Sequence, residues 1–357
     1  MGFLSFLVLP KKIMKKSFFI KKKQISPAVI TRLTGRILIL TLFVLSSLYI
    51  SAQGKAAPQV KSPGAKTDTT LNLKKHSLNF FLVSDWGWNG YGFQTDVANQ
   101  MTKTADKADP KFIISCGDNF QINGVQSVND PLWMTSYENV YKTPELLIDW
   151  YPVLGNHDYH GNPDAEVKYS DISRRWRMTA RYYTIVKKVN DSISARFIFM
   201  DTPPLVDEYY KQKGEYGDVA KQDTAKEMKW LKDVLASAKE QWIFVIGHHP
   251  VFSASHKHGN TPELIKKFKP LFDKYNVDFY FCGHDHDMQH LKPAGSKVDY
   301  IVTGSGGEVR ECAKDVNSVF SASEPGFTLV SVNGKELTLD FINTKGQIVY
   351  TVTKVKK

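Results

Sequence analysis

Short apolar runs recur along the chain from residue 77 onward, and each of them ends on a cluster of polar residues. The runs are NFFLVSD (79–85), KFIISCGD (111–118), YPVLGNHD (151–158), RFIFMD (196–201), WIFVIGHH (242–249), VDFYFCGHDH (277–286) and DYIVTGSGG (299–307). Continuous apolar runs of this length are typical of strands that are covered on both faces. The pattern therefore predicts a buried sheet whose strands end in polar side chains.

Helical patterns separate several of the predicted strands. Thr224 and Glu227 have the spacing of a capping box and precede an apolar helical face. The segment Thr261-Pro262-Glu263 predicts the start of another helix, with proline at its first position. Strands that alternate with helices indicate an α/β domain, in which ligands bind beyond the carboxyl ends of the strands.

The C-terminal part of the chain has a different pattern. FTLVSV, ELTLDFI and IVYTVTKV alternate apolar and polar residues around turns at Asn333-Gly334 and Lys345-Gly346. This alternation predicts an antiparallel meander. We expect it to complete one edge of a sheet without forming a separate domain.

The formal net charge of +11 invites comparison with nucleic-acid-binding proteins. Residues 1–52 hold nine Lys or Arg and no acidic residue, so a charge of only about +2 is left for the rest of the chain. The basic charge belongs to the N-terminus, and we expect no nucleic-acid binding by the folded body.

Residues 1–52 have the features of a targeting segment. Basic residues lead into ILILTLFVLSSLYISA (37–52), an apolar stretch with a candidate cleavage site at Ser51–Ala52. We expect a signal peptide and export, to a periplasm or out of the cell, with a retained membrane anchor as the alternative. A translation start at Met14 is left open. The polar residues 53–76 predict a flexible linker, and 77–357 the folded domain with its C-terminal antiparallel strands.

The chain has three cysteines, too few to predict a disulfide framework. Cys116 and Cys282 each precede a glycine at the end of an apolar run. We expect both side chains to be small buried groups without a chemical role.

Histidines are concentrated in one part of the chain, and nine of the ten lie between residues 157 and 290. Asp85 and Asp118 each end an apolar run, and Asn156 lies in the cluster that follows a third. His284 and His286 are two apart, so on an extended segment both can face one site. One such cluster alone fits a helix cap or a turn equally well. Carboxylates and imidazoles that converge from several strand ends predict a metal site.

The motifs DWG, GDNF, GNHD, GHHP and GHDH, in this order, resemble the signature of the calcineurin-like metallophosphoesterases. DWG, GDNF and HHPVFS resemble the purple acid phosphatase branch, especially its tartrate-resistant type. The resemblance implies a four-layer αββα sandwich, with two mixed sheets flanked by helices. It also implies a metal-dependent hydrolase of phosphoric esters.

The resemblance further implies a set of ligands for two metal ions. Those of the first ion would be Asp85, Asp118 and His286. Those of the second would be Asp118, Asn156, His248 and His284, with Asp118 bridging both ions. In the family, ions roughly 3.5–4 Å apart clamp the phosphoryl group and lower the pKa of bound water, which gives a hydroxide nucleophile near neutral pH.

Two histidines are implied to act on the substrate. His157 would bind the phosphate or protonate the leaving group, with Asp158 orienting its ring. The second family histidine follows GHHP by about ten residues, where His258 is the better match and His256 the alternative. Asp201 is expected to support the site from behind. Ordinary structural roles are expected for His160, His249 and His290, of which His249 is the closest to the site.

The chain departs from the family pattern at two ligand positions. Gln121 stands where the purple branch has a metal-binding tyrosine, whose phenolate gives the colour and favours ferric iron. Gly87 stands where other members have a histidine. A neutral oxygen from Gln121, or water, favours a divalent ion over a trivalent one. The identity of the first metal is therefore open among iron, zinc, manganese and magnesium.

The function expected from this resemblance is that of an exported, acid-phosphatase-like phosphomonoesterase acting on a small phosphorylated substrate. The alternatives are a phosphodiesterase or nucleotide phosphohydrolase using the same site, and a degenerate member that binds only phosphate or metal. The arginine-rich segment 159–182 is either a substrate-contacting loop or a solvated loop followed by a packed helix. Membrane contact is expected only through a retained N-terminal segment, and the oligomeric state is left open.

Overall fold

The computed structural model describes residues 69–212 and 214–356. The predicted targeting segment 1–52 lies outside the described residues, as does most of the predicted linker 53–76. All described residues fall within one compact unit, Val60–Lys357. Among them, no helix is both long enough and apolar enough to cross a membrane.

Strands dominate the described part of the chain. They are β1 (Leu78–Val83), β2 (Phe112–Ser115), β3 (Asp149–Pro152), β4 (Tyr183–Lys188), β5 (Ser194–Phe199), β6 (Trp242–Ile246), β7 (Phe279–Cys282), β8 (Met288–Leu291), β9 (Asp299–Thr303), β10 (Ser318–Ala322), β11 (Gly326–Val332), β12 (Glu336–Asn343) and β13 (Ile348–Val355). All seven predicted apolar runs overlap a strand, and the predicted C-terminal meander is β11, β12 and β13.

Helices connect several of these strands. The α-helices are α1 (Gln94–Ala108), α2 (Pro163–Tyr169), α3 (Thr224–Ser237) and α4 (Pro262–Lys274). A π-helical turn covers Trp133–Glu138, and shorter 3-10 turns cover Pro144–Leu146, Asp158–His160, Pro203–Leu205, Asp207–Lys211 and Val219–Lys221.

The strands form two mixed sheets. One has six strands in the order β13-β12-β11-β1-β2-β3, and the other has seven in the order β10-β8-β9-β7-β6-β5-β4. β1, β2 and β3 are parallel in the first sheet, and β5, β6, β7 and β9 are parallel in the second. The meander pairs with β1 through β11, so it extends an edge of the first sheet as predicted.

Aromatic side chains fill the space between the two sheets. The ring of Phe80 on β1 lies 5.3 Å from the ring of Phe197 on β5 and 6.0 Å from that of Phe244 on β6. On the outer face of the second sheet, Leu231 of α3 and Phe268 of α4 belong to a separate buried cluster. Helix α1 packs against β11 of the first sheet. The predicted α/β sandwich of two mixed sheets and flanking helices is therefore confirmed.

The start of α3 differs from the prediction. Asp223 caps the helix, because its side chain accepts a hydrogen bond from the backbone N–H of Lys226 at 2.9 Å. The predicted capping box of Thr224 and Glu227 is therefore wrong. The Glu227 carboxylate is buried and accepts a hydrogen bond from the backbone N–H of Asp201 at 2.8 Å, beyond the end of β5. Helix α4 begins at Pro262 as predicted.

The cysteines are in the environments that the sequence predicts. Cys116 and Cys282 are buried, and all three cysteines are free. Burial raises the pKa of the Cys116 and Cys282 thiols well above the usual value, so both stay protonated. Neither has the lowered thiol pKa of a reactive cysteine.

Candidate metal centre

The six predicted metal ligands lie just beyond the carboxyl ends of five strands. They are Asp85 after β1, Asp118 after β2, Asn156 after β3, His248 after β6, and His284 and His286 after β7. All six are buried. Parallel strands bring their carboxyl ends to one edge of a sheet, and two facing sheets bring both edges together. The order of the strands thus gathers residues that are about two hundred positions apart, as in the hydrogen bond from the backbone N–H of His284 to the Asp85 carboxylate.

Three of these residues have a left-handed backbone conformation. The φ angles of Asp85, Asp118 and His284 are 57°, 49° and 69°. A side chain in this region costs about 1 kcal/mol or more relative to glycine. Glycine would make the same turns without that cost, so the side chains themselves are required at the strand ends.

Glycines beside the ligands allow the loops to approach one another. A Cβ atom at Gly155 would overlap the Asp118 carboxylate, and one at Gly283 would overlap Ser84 and the Asp85 carboxylate. The glycines of the GNHD and GHDH motifs are therefore needed for close packing around the carboxylates.

The first cluster contains Asp85, Asp118 and His286, whose ligand atoms all lie within 4.8 Å of one another. Nε2 of His286 is 3.4 Å from Oδ1 of Asp85. That carboxylate oxygen is buried and has no hydrogen-bond partner among the described residues. An unpaired buried anionic oxygen is costly, and a cation held by these three groups would remove the cost.

The second cluster brings together atoms that offer lone pairs. Nδ1 of His248 donates a hydrogen bond to the carbonyl oxygen of Cys116 at 2.9 Å, so Nε2 carries the lone pair in the neutral ring. This Nε2 lies 3.1 Å from Oδ1 of Asn156 and 3.3 Å from Nδ1 of His284. Nδ1 of His284 lies 2.9 Å from the same Asn156 oxygen. Spacings of about 3 Å fit side chains that share one metal ion.

Asp118 joins the two clusters. It belongs to the first, and its Oδ1 lies 3.4 Å from Nε2 of His248 in the second. Burial would raise the pKa of Asp118, but the imidazoles of His248 and His157 outweigh this and hold it well below the usual value. Burial and the neighbouring His249 and His248 hold the pKa of His284 well below its usual range. An ionised carboxylate and a neutral imidazole are the forms that bind metal ions.

Glu308 supports His286 from the side away from Asp85, and sequence reasoning missed it. Oε2 of Glu308 lies 2.8 Å from Nδ1 of His286, and this contact is the main reason that the pKa of Glu308 is lowered to about 2. A carboxylate on the second ring nitrogen fixes the orientation of a metal-binding imidazole. The available signal was the polar segment GSGGE after β9, which meets the same edge of the sheet.

His157 lies at the opening of the site. Its backbone N–H donates to Oδ1 of Asp118 at 2.9 Å, and its ring Nε2 is 4.0 Å from Oδ2 of Asp118. The side chain keeps 30% of its surface exposed, unlike the buried ligands. The ring can therefore reach a substrate in the cleft while its backbone holds the carboxylate.

The expectation that Asp158 orients His157 is wrong. The Asp158 carboxylate instead accepts hydrogen bonds from the backbone N–H groups of Asn119, Phe120 and Gly155, at 3.2, 2.9 and 2.8 Å. It joins the GDNF loop to the GNHD loop. Burial and the nearby Asp118 raise its pKa to about 7. The carbonyl oxygen of Ile122, 3.5 Å from Nδ1 of His157, is the nearer partner of the ring.

Asp201 supports the site only indirectly. Its Oδ2 accepts a hydrogen bond of 2.6 Å from the Tyr159 hydroxyl, in the turn that follows His157. Asp201 therefore holds the GNHD loop from behind, and among the described residues it forms no hydrogen bond with the six candidate ligands.

The remaining histidines differ in their distance from the clusters. The ring of His258 lies 4.1 Å from the ring of His284, so the structure places His258 beside the site, although His256 and His258 are both exposed. His249 is buried, and a ring nitrogen lies within 4.8 Å of those of His248 and His284. Both of its ring nitrogens are hydrogen-bonded to hydroxyl groups, those of Thr202 and Tyr209. His160 pairs with Glu215 at 3.1 Å, and His290 with Asp299 at 3.0 Å.

The two departures from the family pattern both lie beside the first cluster. Gln121 is buried, and its amide nitrogen lies 3.4 Å from Oδ2 of Asp118. At Gly87 even a Cβ atom would overlap the backbone of Asn119. A histidine ligand at position 87 would therefore require the GDNF loop to move.

Three of the four arginines of segment 159–182 form ion pairs within the protein, and the fourth, Arg174, donates to the carbonyl oxygen of Leu147. Arg175 is buried and pairs with Glu138 at 2.8 Å. Arg181 pairs with Asp164 at 2.8 Å and Asp218 at 2.6 Å. These pairs favour a structural role for the segment over contact with a substrate.

A family model covers the part of the chain that holds all six candidate ligands. Residues 78–288 match the family model described as calcineurin-like phosphoesterase. Purple acid phosphatase 3 of Arabidopsis thaliana is 34% identical over 307 residues, with 82% of this chain and 80% of the relative covered. Tartrate-resistant acid phosphatase type 5 of Homo sapiens is 33% identical over 295 residues, with 77% of this chain and 90% of the relative covered.

Solved structures give the same picture of the fold. The structure of GAP50, described as the anchor in the inner membrane complex of Plasmodium, has a TM-score of 0.70 at 28% identity and covers 79% of this chain and 90% of its own. Purple acid phosphatase PPD1 from yellow lupin seeds has a TM-score of 0.57 at 16% identity and covers 78% of this chain and 53% of its own. At that identity the lupin structure is similar in fold alone.

Proposed function

The chain belongs to the calcineurin-like phosphoesterase family, and we propose that it is an exported phosphatase for small phosphate monoesters. Hydrolysis of phosphoric esters is the activity of its named relatives, the acid phosphatases. The family uses a dinuclear metal centre, and the proposal adds which side chains form it here. They are Asp85, Asp118 and His286 for one ion, and Asp118, Asn156, His248 and His284 for the other.

The observation that carries this assignment is the position of Asp118 between the two clusters. It is within ligand distance of Asp85 and His286 on one side and 3.4 Å from His248 on the other. The donor set fits divalent ions, because three imidazoles, an amide oxygen and two carboxylates converge on one place. A shared carboxylate lets two cations lie close together by offsetting their repulsion.

When bound, the two metal ions supply Lewis-acid activation of water and neutralise the charge of the phosphoryl group. The residues of the chain then hold and orient the ester. His157 and His258, at the opening of the site, bind the phosphoryl oxygens, and His157 gives a proton to the leaving oxygen. Glu308 keeps the His286 ring in place for its ligand role.

The neutral side chain of Gln121 favours a divalent over a trivalent ion at the first cluster. The purple branch has an anionic phenolate at this position, whereas a glutamine offers only a neutral amide. Fewer negative ligands favour a lower metal charge, so zinc, manganese, magnesium or ferrous iron suits the site better than ferric iron.

The preference for monoesters follows the acid phosphatases among the relatives. It is tested by comparing a chromogenic aryl phosphate with its bis-aryl phosphate across a panel of metals. The proposal expects a higher kcat/KM for the monoester with every metal that supports activity. A higher value for the diester would overturn the monoester assignment and leave the phosphoesterase assignment standing.

Export is supported by the sequence of residues 1–52, with its basic start, apolar run and small residues at Ser51–Ala52. A fusion of this segment to a reporter enzyme that is active only after export tests the proposal. Reporter activity that disappears when residues 37–50 are deleted supports it, and a full-length fusion without reporter activity contradicts it. Mass spectrometry of the exported product separates cleavage after Ala52 from a retained anchor.

A further inference from the structure

Three side chains, those of Thr202, His249 and Tyr209, form a hydrogen-bonded series beside the second cluster, starting just after β5. Oγ1 of Thr202 lies 2.9 Å from Nδ1 of His249, and Nε2 of His249 lies 2.7 Å from the hydroxyl oxygen of Tyr209. All three residues are buried. The proposed metal ligands do not include any of them, and the mechanism described above does not use them.

Backbone N–H groups determine which atoms donate and which accept in this hydrogen-bonded series. Oγ1 of Thr202 accepts hydrogen bonds from the backbone N–H groups of His248 and His249, at 3.2 and 3.1 Å. These two bonds use both lone pairs of the hydroxyl oxygen, so its own hydrogen is left for Nδ1 of His249. With Nδ1 as the acceptor, a neutral His249 carries its proton on Nε2 and donates it to Tyr209.

The hydroxyl hydrogen of Tyr209 is then left over. Its oxygen already accepts from His249, and the described residues place no other hydrogen-bond acceptor beside it. A buried hydroxyl without an acceptor is unfavourable. The geometry therefore indicates that a ligand supplies the acceptor.

Tyr209 is placed beside the proposed metal centre. The ring of His249, to which it is bonded, lies 4.5 Å from the ring of His284. Burial and the nearby Asp118 carboxylate raise the pKa of Tyr209 well above its usual value, so the phenol keeps its hydrogen. A neutral donor at this place suits an anionic oxygen bound in the same cleft.

We propose that Tyr209 donates a hydrogen bond to a phosphoryl oxygen of the bound ester, and that Thr202 and His249 hold the hydroxyl in that direction. This inference rests on the proposed phosphatase function. Tyr209 is then a binding residue that contacts the substrate, and Thr202 and His249 are positioning residues that act through it. The donor is fixed before the substrate arrives, so no reorganisation is needed to form the bond.

The neighbouring tyrosine provides a matched control. The Tyr210 hydroxyl donates to the carbonyl oxygen of Pro204 at 2.8 Å, and its ring is only partly buried. Tyr210→Phe removes the same atom from the same short helical turn, Asp207–Lys211, without touching the cleft.

The first test determines which ring nitrogen of His249 carries the proton, and hence which groups donate in the series. It uses the zinc-loaded protein, which is diamagnetic. Nitrogen-detected NMR of ring-labelled histidine is expected to show His249 as the Nε2-protonated tautomer. Thr202→Ser keeps the hydroxyl and should keep this tautomer. Thr202→Ala removes the donor to Nδ1 and should allow both His249 tautomers to be populated. A wild-type His249 protonated on Nδ1 would overturn the proposal. The wild-type measurement needs no variant, so it is decisive even where a variant does not fold.

The second test measures the contact itself. In Tyr209→Phe, the dissociation constant of inorganic phosphate is expected to rise about 10- to 100-fold, with a matching fall in kcat/KM, as for a lost hydrogen bond to an anion. Tyr210→Phe should match the wild type in both. Equal phosphate affinity in the two variants would overturn the proposal. A visible absorption band of the iron-loaded protein that Tyr209→Phe removes would also overturn it, by showing a metal-bound phenolate.

The two measurements also separate this inference from the proposed function. A wild-type protein that hydrolyses no phosphate ester with any metal refutes the phosphatase proposal, while phosphate affinity still tests Tyr209. An active wild type with an unaffected Tyr209→Phe variant refutes only the role of Tyr209.

Discussion

The amide nitrogen of Gln121 lies 3.4 Å from Oδ2 of Asp118, so a neutral side chain occupies the place beside the carboxylate that joins the two clusters. In the purple acid phosphatases, which this chain resembles, a tyrosine phenolate is expected at this place. The difference concerns the first metal site and leaves the other candidate ligands in position. Substitution of Gln121 therefore tests which metal the candidate centre prefers.

Replacing Gln121 with tyrosine is expected to change the colour of the protein. The iron-loaded wild type should lack a visible charge-transfer band, and Gln121→Tyr should gain one, because a phenolate binds ferric iron as an anionic ligand. Visible absorption after iron loading measures this directly. Gln126→Tyr, at an exposed position, is the control and should stay colourless. A visible band in the wild type would contradict the account.

Replacing His157 with alanine is expected to lower kcat/KM for a phosphate monoester by about 10²- to 10⁴-fold, the usual range for a lost acid or base. The matched control is His160→Ala, three residues along the same loop. His160 donates to the carbonyl oxygen of Ile122 at 2.7 Å and pairs with Glu215, and its ring lies 5.0 Å from that of His157. Its removal should change kcat/KM by no more than about threefold. Equal losses in the two variants would remove the assignment of His157.

Ile122 stores backbone strain next to the site. Its φ angle is 71°, which is rare for a β-branched residue, and its side chain is 64% exposed. Ile122→Gly is expected to raise the free energy of unfolding by about 1 kcal/mol, because glycine adopts this conformation without strain. Ile122→Ala loses the same side chain but keeps the strain, so it should bring no such gain. Urea denaturation measures both, and equal stabilities would show that position 122 is unstrained.

Asp299 gives a prediction for the pH dependence of stability. Burial would raise its pKa, but His290, Lys354 and Lys292 outweigh this and hold it well below the usual value. A carboxyl group whose pKa is lower in the folded state stabilises the fold above its unfolded pKa of about 3.9. That contribution is lost as the pH falls from there through the folded pKa.

Asp299→Asn should therefore lower the free energy of unfolding near pH 7 by about 2 kcal/mol, since the partly exposed ammonium groups of Lys292 and Lys354 lose their anionic hydrogen-bond partner. The difference from the wild type should shrink below about pH 4, where the unfolded carboxyl group is protonated. Chemical denaturation with a chelator present, at a series of pH values, measures it. Asp233→Asn removes an exposed ion pair and should cost no more than about 0.5 kcal/mol. A pH-independent difference for Asp299→Asn would contradict the ionic origin.

The sequence predicted the central strands because their environment is uniform. β1, β6 and β7 are buried along their whole length, so their sequences are continuous apolar runs. β4 and β10 are the edges of the second sheet and are only partly buried, and β8 carries the buried polar residues Gln289 and His290. β4 and β10 have mixed polarity because they are edge strands, and β8 because it buries polar side chains. A search for apolar runs therefore does not detect these three strands.

The sequence predicted one part of the candidate site, the six residues at the strand ends, and did not predict the residues that reach it from loops. The six ligands stand at the ends of apolar runs, where strand order alone brings them together. Glu308 and Tyr209 come from loops whose path depends on tertiary packing, so their approach to His286 and His249 could not be predicted from spacing. Asp158 shows the opposite case: it follows His157 in the sequence, yet its carboxylate accepts hydrogen bonds from the backbone of the neighbouring GDNF loop.

Metal reconstitution tests the central claim most directly. Protein stripped with a chelator should hydrolyse phosphate monoesters at no more than a background rate. Stepwise addition of a divalent metal, followed by elemental analysis, should restore activity in step with two bound ions per chain. Asp118→Asn should hold fewer than two ions and stay inactive, because both clusters lose the shared carboxylate. Full activity in the stripped protein, or two tightly bound ions in Asp118→Asn, would contradict a dinuclear centre joined by Asp118.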